Sequence, residues 1–154
     1  MTMISECRIP EIKIRMVRGP VGIAIKNSKD SGGAVRHLCC DNPSVESFCV
    51  LYLNAKSHLM AGRLVGMGGV AGVSLMAREI FQGACDVGAS AIIIGHNHPS
   101  GNPRPSPEDK KMTKQIRDAG EILGISVVDS VIVTECGKEY SFVDQGDFII
   151  TNNI

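Results

Sequence analysis

Residues 96–109 read His-Asn-His-Pro-Ser-Gly-Asn-Pro-Arg-Pro-Ser-Pro-Glu-Asp. His96 and His98 stand one residue apart, and after seven more residues come Ser106 and then, three positions on, Asp109. Two imidazoles and a carboxylate make a three-ligand metal set. Zinc takes histidine nitrogen and aspartate oxygen, and a catalytic zinc site keeps its fourth position for water. The apolar run Ala91-Ile92-Ile93-Ile94 comes just before, so the histidines are expected to leave the end of a buried strand on a loop held by a rigid scaffold.

The pattern HxH-x7-SxxD fixes four residues. With only 4 histidines in 154 residues, a chance match has odds of roughly 1 in 2,500. A purely structural alternative exists. His96 and His98 could be polar residues of a Pro/Gly-rich turn. Ser106, Pro107 and Asp109 also suit N-cap, N1 and N3 of a helix. That helix start is compatible with the metal set, because it fixes Asp109 in a first helical turn.

HxH-x7-SxxD with an upstream glutamate resembles the JAMM motif of the JAB/MPN metallopeptidase-like domains. The longer string His96-Asn97-His98-Pro99-Ser100-Gly101 with Pro105-Ser106-Pro107-Glu108-Asp109 is similar to the RadC branch. So are Glu46-Ser47-Phe48, Arg78-Glu79-Ile80-Phe81 and Val128-Asp129-Ser130-Val131-Ile132-Val133, and the likeness covers about residues 28–146. It implies an α/β fold (α+β, mixed sheet) of the MPN/JAB type, a cytidine-deaminase-like core with helices packed on a curved mixed sheet. Residues 1–27 then read as an N-terminal extension and 28–154 as the domain.

The same resemblance implies a zinc hydrolase, a metallopeptidase or isopeptidase acting on a peptide or protein. Zn²⁺ on His96, His98 and Asp109 would supply an acidified water and a Lewis acid for the carbonyl. Glu46 is assigned as the base that deprotonates the water and passes the proton to the leaving amine. Ser106 is assigned a hydrogen bond to the oxyanion or the water. Arg78 and Glu79 would support the site from behind; without the family they read as an ion pair or solvated face. Two departures stand out. Many members read Asp-His where this chain has Asp129-Ser130, and His-Pro where it has Met76-Ala77.

The elements that must carry these residues follow from periodicity. Ile9–Val17 alternates as a strand, 26–33 reads as a loop, and 34–40 as a short helix. Phe48–Leu53 and His58–Val65 form a hairpin across Asn54-Ala55-Lys56-Ser57. Gly66, Gly68, Gly69 and Gly72 make a flexible crossing that lacks the GK[ST] ending of a phosphate loop. Met76–Val87 is a helix with Met76, Ile80, Phe81, Ala84 and Val87 inward. Ser90–Ile94 is the buried strand. Pro107–Leu123 is a helix with Met112, Ile116, Ala119 and Leu123 as its core stripe, stopped by Gly124. Ile125–Thr134 and Tyr140–Val143 are the last strands, joined at Gly137-Lys138.

Composition sets the outer bounds. An apolar share of 44% at 154 residues supports one domain with a real core. With 16 basic and 16 acidic side chains there is no global attraction to nucleic acid or to an anionic membrane. No run approaches a membrane span and no signal peptide is legible at Met1–Cys7. The cysteines (7, 39, 40, 49, 85 and 136) form no CxxC pair. Cys49 and Cys85 read as buried hydrophobes, and Cys39-Cys40 as two ordinary thiols of a reduced, cytoplasmic protein. His37 and His58 read as surface or satisfied structural residues.

The rival function is a DNA-binding or nuclease module tied to DNA repair. The string His96-Asn97-His98 is no HNH nuclease motif, whose residues are dispersed over a ββα unit. HxHxDH is absent, since Ser100-Gly101 stand at its end. Lys110, Lys114 and Arg117, with Lys111 nearby, form a stripe that reads as a solvated helix face. An aromatic share of 4% offers few stacking platforms for single strands. Longer RadC proteins carry an N-terminal helix-hairpin-helix segment, which a chain of this length is not expected to hold.

Overall fold

The computed structural model describes residues 22–67 and 73–148, without the side chains of 67 and 73–76. The expected strand at 9–17, Cys7, three of the crossing glycines and the Met76 side chain lie outside these residues.

Strand β1 (Ser47–Leu53) is buried along its whole length, which accounts for a sequence without polar alternation. Its even residues Phe48, Val50 and Tyr52 face one core, and its odd residues Cys49, Leu51 and Leu53 face another. β1 pairs antiparallel with β2 (Leu59–Met67) on one side and with β3 (Ala91–Asn97) on the other. The hairpin turn at Asn54–Ser57 places Ser57 at φ 60°, and Asn54 Oδ1 accepts the Lys56 and His58 N–H groups. β3 runs parallel to β4 (Ser126–Val133), and β4 pairs antiparallel with β5 (Glu139–Ser141). The sheet order is β2-β1-β3-β4-β5. A parallel neighbour requires a crossover, and helix α3 (Pro107–Leu123) supplies it.

Helix α1 (Ser28–Cys39) covers one face with Val35, Leu38 and Cys39. α2 (Val73–Val87) and α3 cover the other, where Ile80, Phe81, Ala84, Met112 and Ile116 pack on Phe48, Val50, Ile92 and Ile94. This is the mixed-sheet α/β architecture expected of a JAB/MPN domain.

Four local expectations are corrected. Residues 28–33 are helix, not loop: Asn27 caps the first turn by accepting the Asp30 N–H. A Cβ on Gly32 would fall 2.1 Å from Glu139 Oε2, so packing accommodates a glycine in the helix. β3 runs on past Ile94 to Asn97, because β1 and β4 pair with it on both sides as far as His96 and Asn97 respectively. Leu123 is 54% exposed. α3 instead sets Gly120 against Ile125 and Val127, and the left-handed Gly124 (φ 71°) turns Ile125 into the core. Cys85 is exposed, since it lies beside the inward Ala84 on α2 and points away; Cys49 is buried as expected.

Candidate metal centre

Side chains two apart on a strand share a face. On β3, Ile92 and Ile94 face α3, and so does His96, 1% exposed. His98 lies just beyond the strand, its N–H donating to the Val133 carbonyl at 2.9 Å. The two Nε2 atoms converge to 3.1 Å. The His96 ring stacks on Phe48 of β1, with centroids 4.7 Å apart. His98 Nδ1 lies 2.8 Å from the Asn102 carbonyl, an acceptor that keeps the proton on Nδ1 and turns the Nε2 lone pair inward.

The third group comes from the helix start read in the sequence. Asp109 N donates to Ser106 Oγ at 3.1 Å and Ser106 N to Asp109 Oδ2 at 2.8 Å, a complete capping box with Pro107 in the first turn. The box fixes the carboxylate 3.2 Å from His96 Nε2 through Oδ1 and 3.2 Å from His98 Nε2 through Oδ2. Three prolines and Gly101, at φ 79°, shape the loop that brings α3 back to β3.

Glu46, immediately before β1, stands farther out. Its Oε1 lies 3.9 Å from His98 Nε2, and its side chain is 39% exposed. One ligand atom from each of Glu46, His96, His98 and Asp109 can be chosen with all four within 4.8 Å of one another. Glu46, His98 and Asp109 line an open cleft of about 630 Å³, walled also by Phe48, Ser106 and Met112, and His96 is buried behind it.

The donor set fits a zinc-sized ion. Ligands about 2.0–2.2 Å from a tetrahedral zinc stand about 3.3–3.6 Å apart, near the 3.1 Å between the two Nε2 atoms and the 3.2 Å from each of them to one oxygen of Asp109. The chemistry agrees, since two inward lone pairs and an anion repel one another unless a cation lies between them. In the metal-free chain a proton plays that part. The Asp109 carboxylate raises the His98 pKa, against the effect of burial and with help from the Asn102 carbonyl. Burial pushes Asp109 upward, but bonds from His96, His98 and the Ser106 N–H outweigh it and hold the carboxyl well below the usual carboxylate range.

A pH dependence follows. His98 holds its proton more tightly when folded, so its contribution is fully present below 6.5 and lost as pH rises through the elevated folded value. The depressed Asp109 contributes above 3.8 and loses that contribution as pH falls through its folded value. Chelator-treated protein should therefore melt highest in mildly acidic buffer, with Tm falling as pH climbs past neutrality. Zinc affinity should rise over the same interval, because the ion displaces the proton. Differential scanning calorimetry with and without zinc checks both; an unchanged alkaline loss of Tm in Asp109→Asn would contradict the assignment.

A RadC-like JAB domain model matches residues 25–147. The chain belongs to the RadC-like JAB family. Among curated relatives, the UPF0758 protein of Flavobacterium johnsoniae is 40% identical over 124 residues, 80% of this chain and 53% of that protein. That of Carboxydothermus hydrogenoformans is 46% identical over 90 residues, 58% of this chain and 40% of its own. That of Rubrobacter xylanophilus is 33% identical over 123 residues, 80% of this chain and 54% of its own. This chain thus spans about half the length, or less, of these curated relatives.

Other sequence candidates fall elsewhere. His37 is exposed on α1, and His58 lies half-buried in the hairpin. Arg78 is exposed, and Glu79 pairs with Arg63, at 3.9 Å, rather than with the metal group. Ser130, the departure from Asp-His, is fully buried and accepts the Thr113 hydroxyl of α3 at 3.1 Å. It belongs to the packing of α3 on β4. Phe48, Asn102 and Asn97 were given no role by the sequence. The one local sign was a polar Asn97 between two histidines, three residues past the apolar run, and it does not show which partners its carboxamide meets.

Proposed function

We propose that this domain is a zinc-dependent hydrolase that cleaves an amide bond in a peptide or protein. The observation that carries the reading is the convergence of His96, His98 and Asp109 beside an open cleft that His98 and Asp109 line, with Glu46 standing outside that triangle. Zinc bound there would supply a water acidified to about pKa 7 and polarise the scissile carbonyl. Glu46, partly exposed and beyond the three close groups, takes the proton from the water and delivers it to the leaving amine. Ser106 Oγ already accepts the Asp109 N–H, which leaves its own O–H to donate to the developing oxyanion. In the same reading the chain works in the reducing cytoplasm, where neighbouring thiols stay unpaired: Cys39, Cys40 and Cys49 are all free. Among the described residues no helix is long and apolar enough to cross a membrane.

The DNA-directed alternative would use the basic face of α3. That face is largely engaged within the chain. Lys110 pairs with Asp147 at 3.4 Å, Lys114 with Asp118, and Arg117 lies 5.4 Å from the Phe148 ring centroid. Turnover on a peptide library and on DNA, measured side by side with zinc, separates the two. Peptide cleavage is expected, and it should survive charge reversal of Lys110, Lys111, Lys114 and Arg117. Any DNA binding should fade with salt at a log–log slope of about −0.9 per phosphate contacted. Robust DNA cutting by the wild type, lost in His96→Ala and in Glu46→Gln, would move the domain to the nucleases.

A further inference from the structure

The β1–β3 ladder ends at the pair Phe48↔His96. Beyond it, the Asn97 side chain continues the connection. Asn97 is 1% exposed. Its Oδ1 accepts the Ser47 N–H at 2.7 Å, and its Nδ2 donates to the Val45 carbonyl at 3.0 Å. The carboxamide therefore grips the backbone on both sides of Glu46. It issues from the residue between His96 and His98. One side chain thus locks the segment carrying the glutamate to the strand carrying two of the proposed ligands.

We propose that Asn97 is the positioning residue for Glu46, fixing its carboxylate over the metal centre without touching substrate or metal; this rests on the reading of Glu46 as the base. The geometry calls for a carboxamide, which offers one acceptor and one donor at this length. Aspartate keeps the acceptor for Ser47 but sets an oxygen against the Val45 carbonyl. Alanine keeps neither bond. Without the grip, Glu46 sits one residue outside β1 on a chain just leaving the 41–45 turn, and small misplacements of a catalytic group are costly.

Asn97→Ala and the near-isosteric Asn97→Asp test this. Both should retain zinc in elemental analysis. Hydrogen exchange at the Ser47 amide should quicken about tenfold or more in Asn97→Ala, as a buried bond opens locally, and less in Asn97→Asp. Turnover should fall about 10–100-fold, as when groups that orient a metal site are removed, in kcat rather than KM. In a Glu46→Gln background Asn97→Ala should cause no further loss, since both changes remove the same contribution. Unchanged Ser47 exchange, or a full additional loss on Glu46→Gln, overturns the proposal. If the wild type cleaves no peptide, the peptidase reading fails alone and cobalt(II)-loaded protein decides. A visible band moved alike by Asn97→Ala and Glu46→Gln, and no further in the double variant, upholds the positioning role; an unmoved band in Asn97→Ala ends it. Asn97→Asp gives the same readouts should the alanine variant fail to fold.

Discussion

Glu46→Gln is expected to bind zinc like the wild type and to turn over its substrate about 10²–10⁴-fold more slowly, the range that a general base contributes. The two halves of that result come from different distances. His96, His98 and Asp109 stand 3.1–3.2 Å from one another, whereas Glu46 approaches only to 3.9 Å of His98. Glutamine keeps the size and the hydrogen-bonding reach of glutamate but cannot take up the proton. It also leaves the Asn97 grip untouched, because that grip holds the backbone of Val45 and Ser47. Elemental analysis and initial rates on one preparation give both readouts. Loss of zinc together with activity would make Glu46 a fourth ligand and recast the centre as a closed structural site.

The convergence of His96, His98 and Asp109 was legible because its information is local. Ser106, Pro107 and Asp109 act within one helical turn, and Gly124 closes the same helix, so the ends of α3 were readable from caps alone. The spacing of His96 and His98 was local too, although the strand that carries His96 was not read that far. What could not be read depends on distant pairing. The apolar run stops at Ile94, yet β3 continues to Asn97 because residues from two other strands bond to it. The Ser-Lys-Asp-Ser-Gly-Gly opening of α1 resembles a loop, yet Asn27 caps it as a helix and Gly32 lies under the distant Glu139 side chain. Asn97 meets partners 50 and 52 residues away. No pattern within its own segment shows that its carboxamide would reach the chain on either side of Glu46.

Zinc analysis of His98→Ala should fall from about one ion per chain to background, since two protein ligands do not make the three-ligand site of a zinc hydrolase. This position isolates metal binding from folding better than its neighbour does. The His96 side chain is 1% exposed and stacked on Phe48, so alanine there also opens a gap in the core under the sheet. The His98 side chain is 14% exposed and lines the open cleft. Its removal releases the Asn102 carbonyl to solvent and takes little from the interior. The metal-free wild type and His98→Ala should therefore unfold at similar denaturant concentrations once the pH is above the raised folded pKa of His98, where the His98–Asp109 ion pair has weakened. Added zinc should then separate them. At a free concentration 100 times the Kd, a ligand that binds only the folded state contributes about 2.7 kcal/mol, and only the wild type should receive it. A variant that keeps stoichiometric zinc, or is stabilised by it as fully as the wild type, would remove His98 from the ligand set and leave the convergence of the two Nε2 atoms without a function.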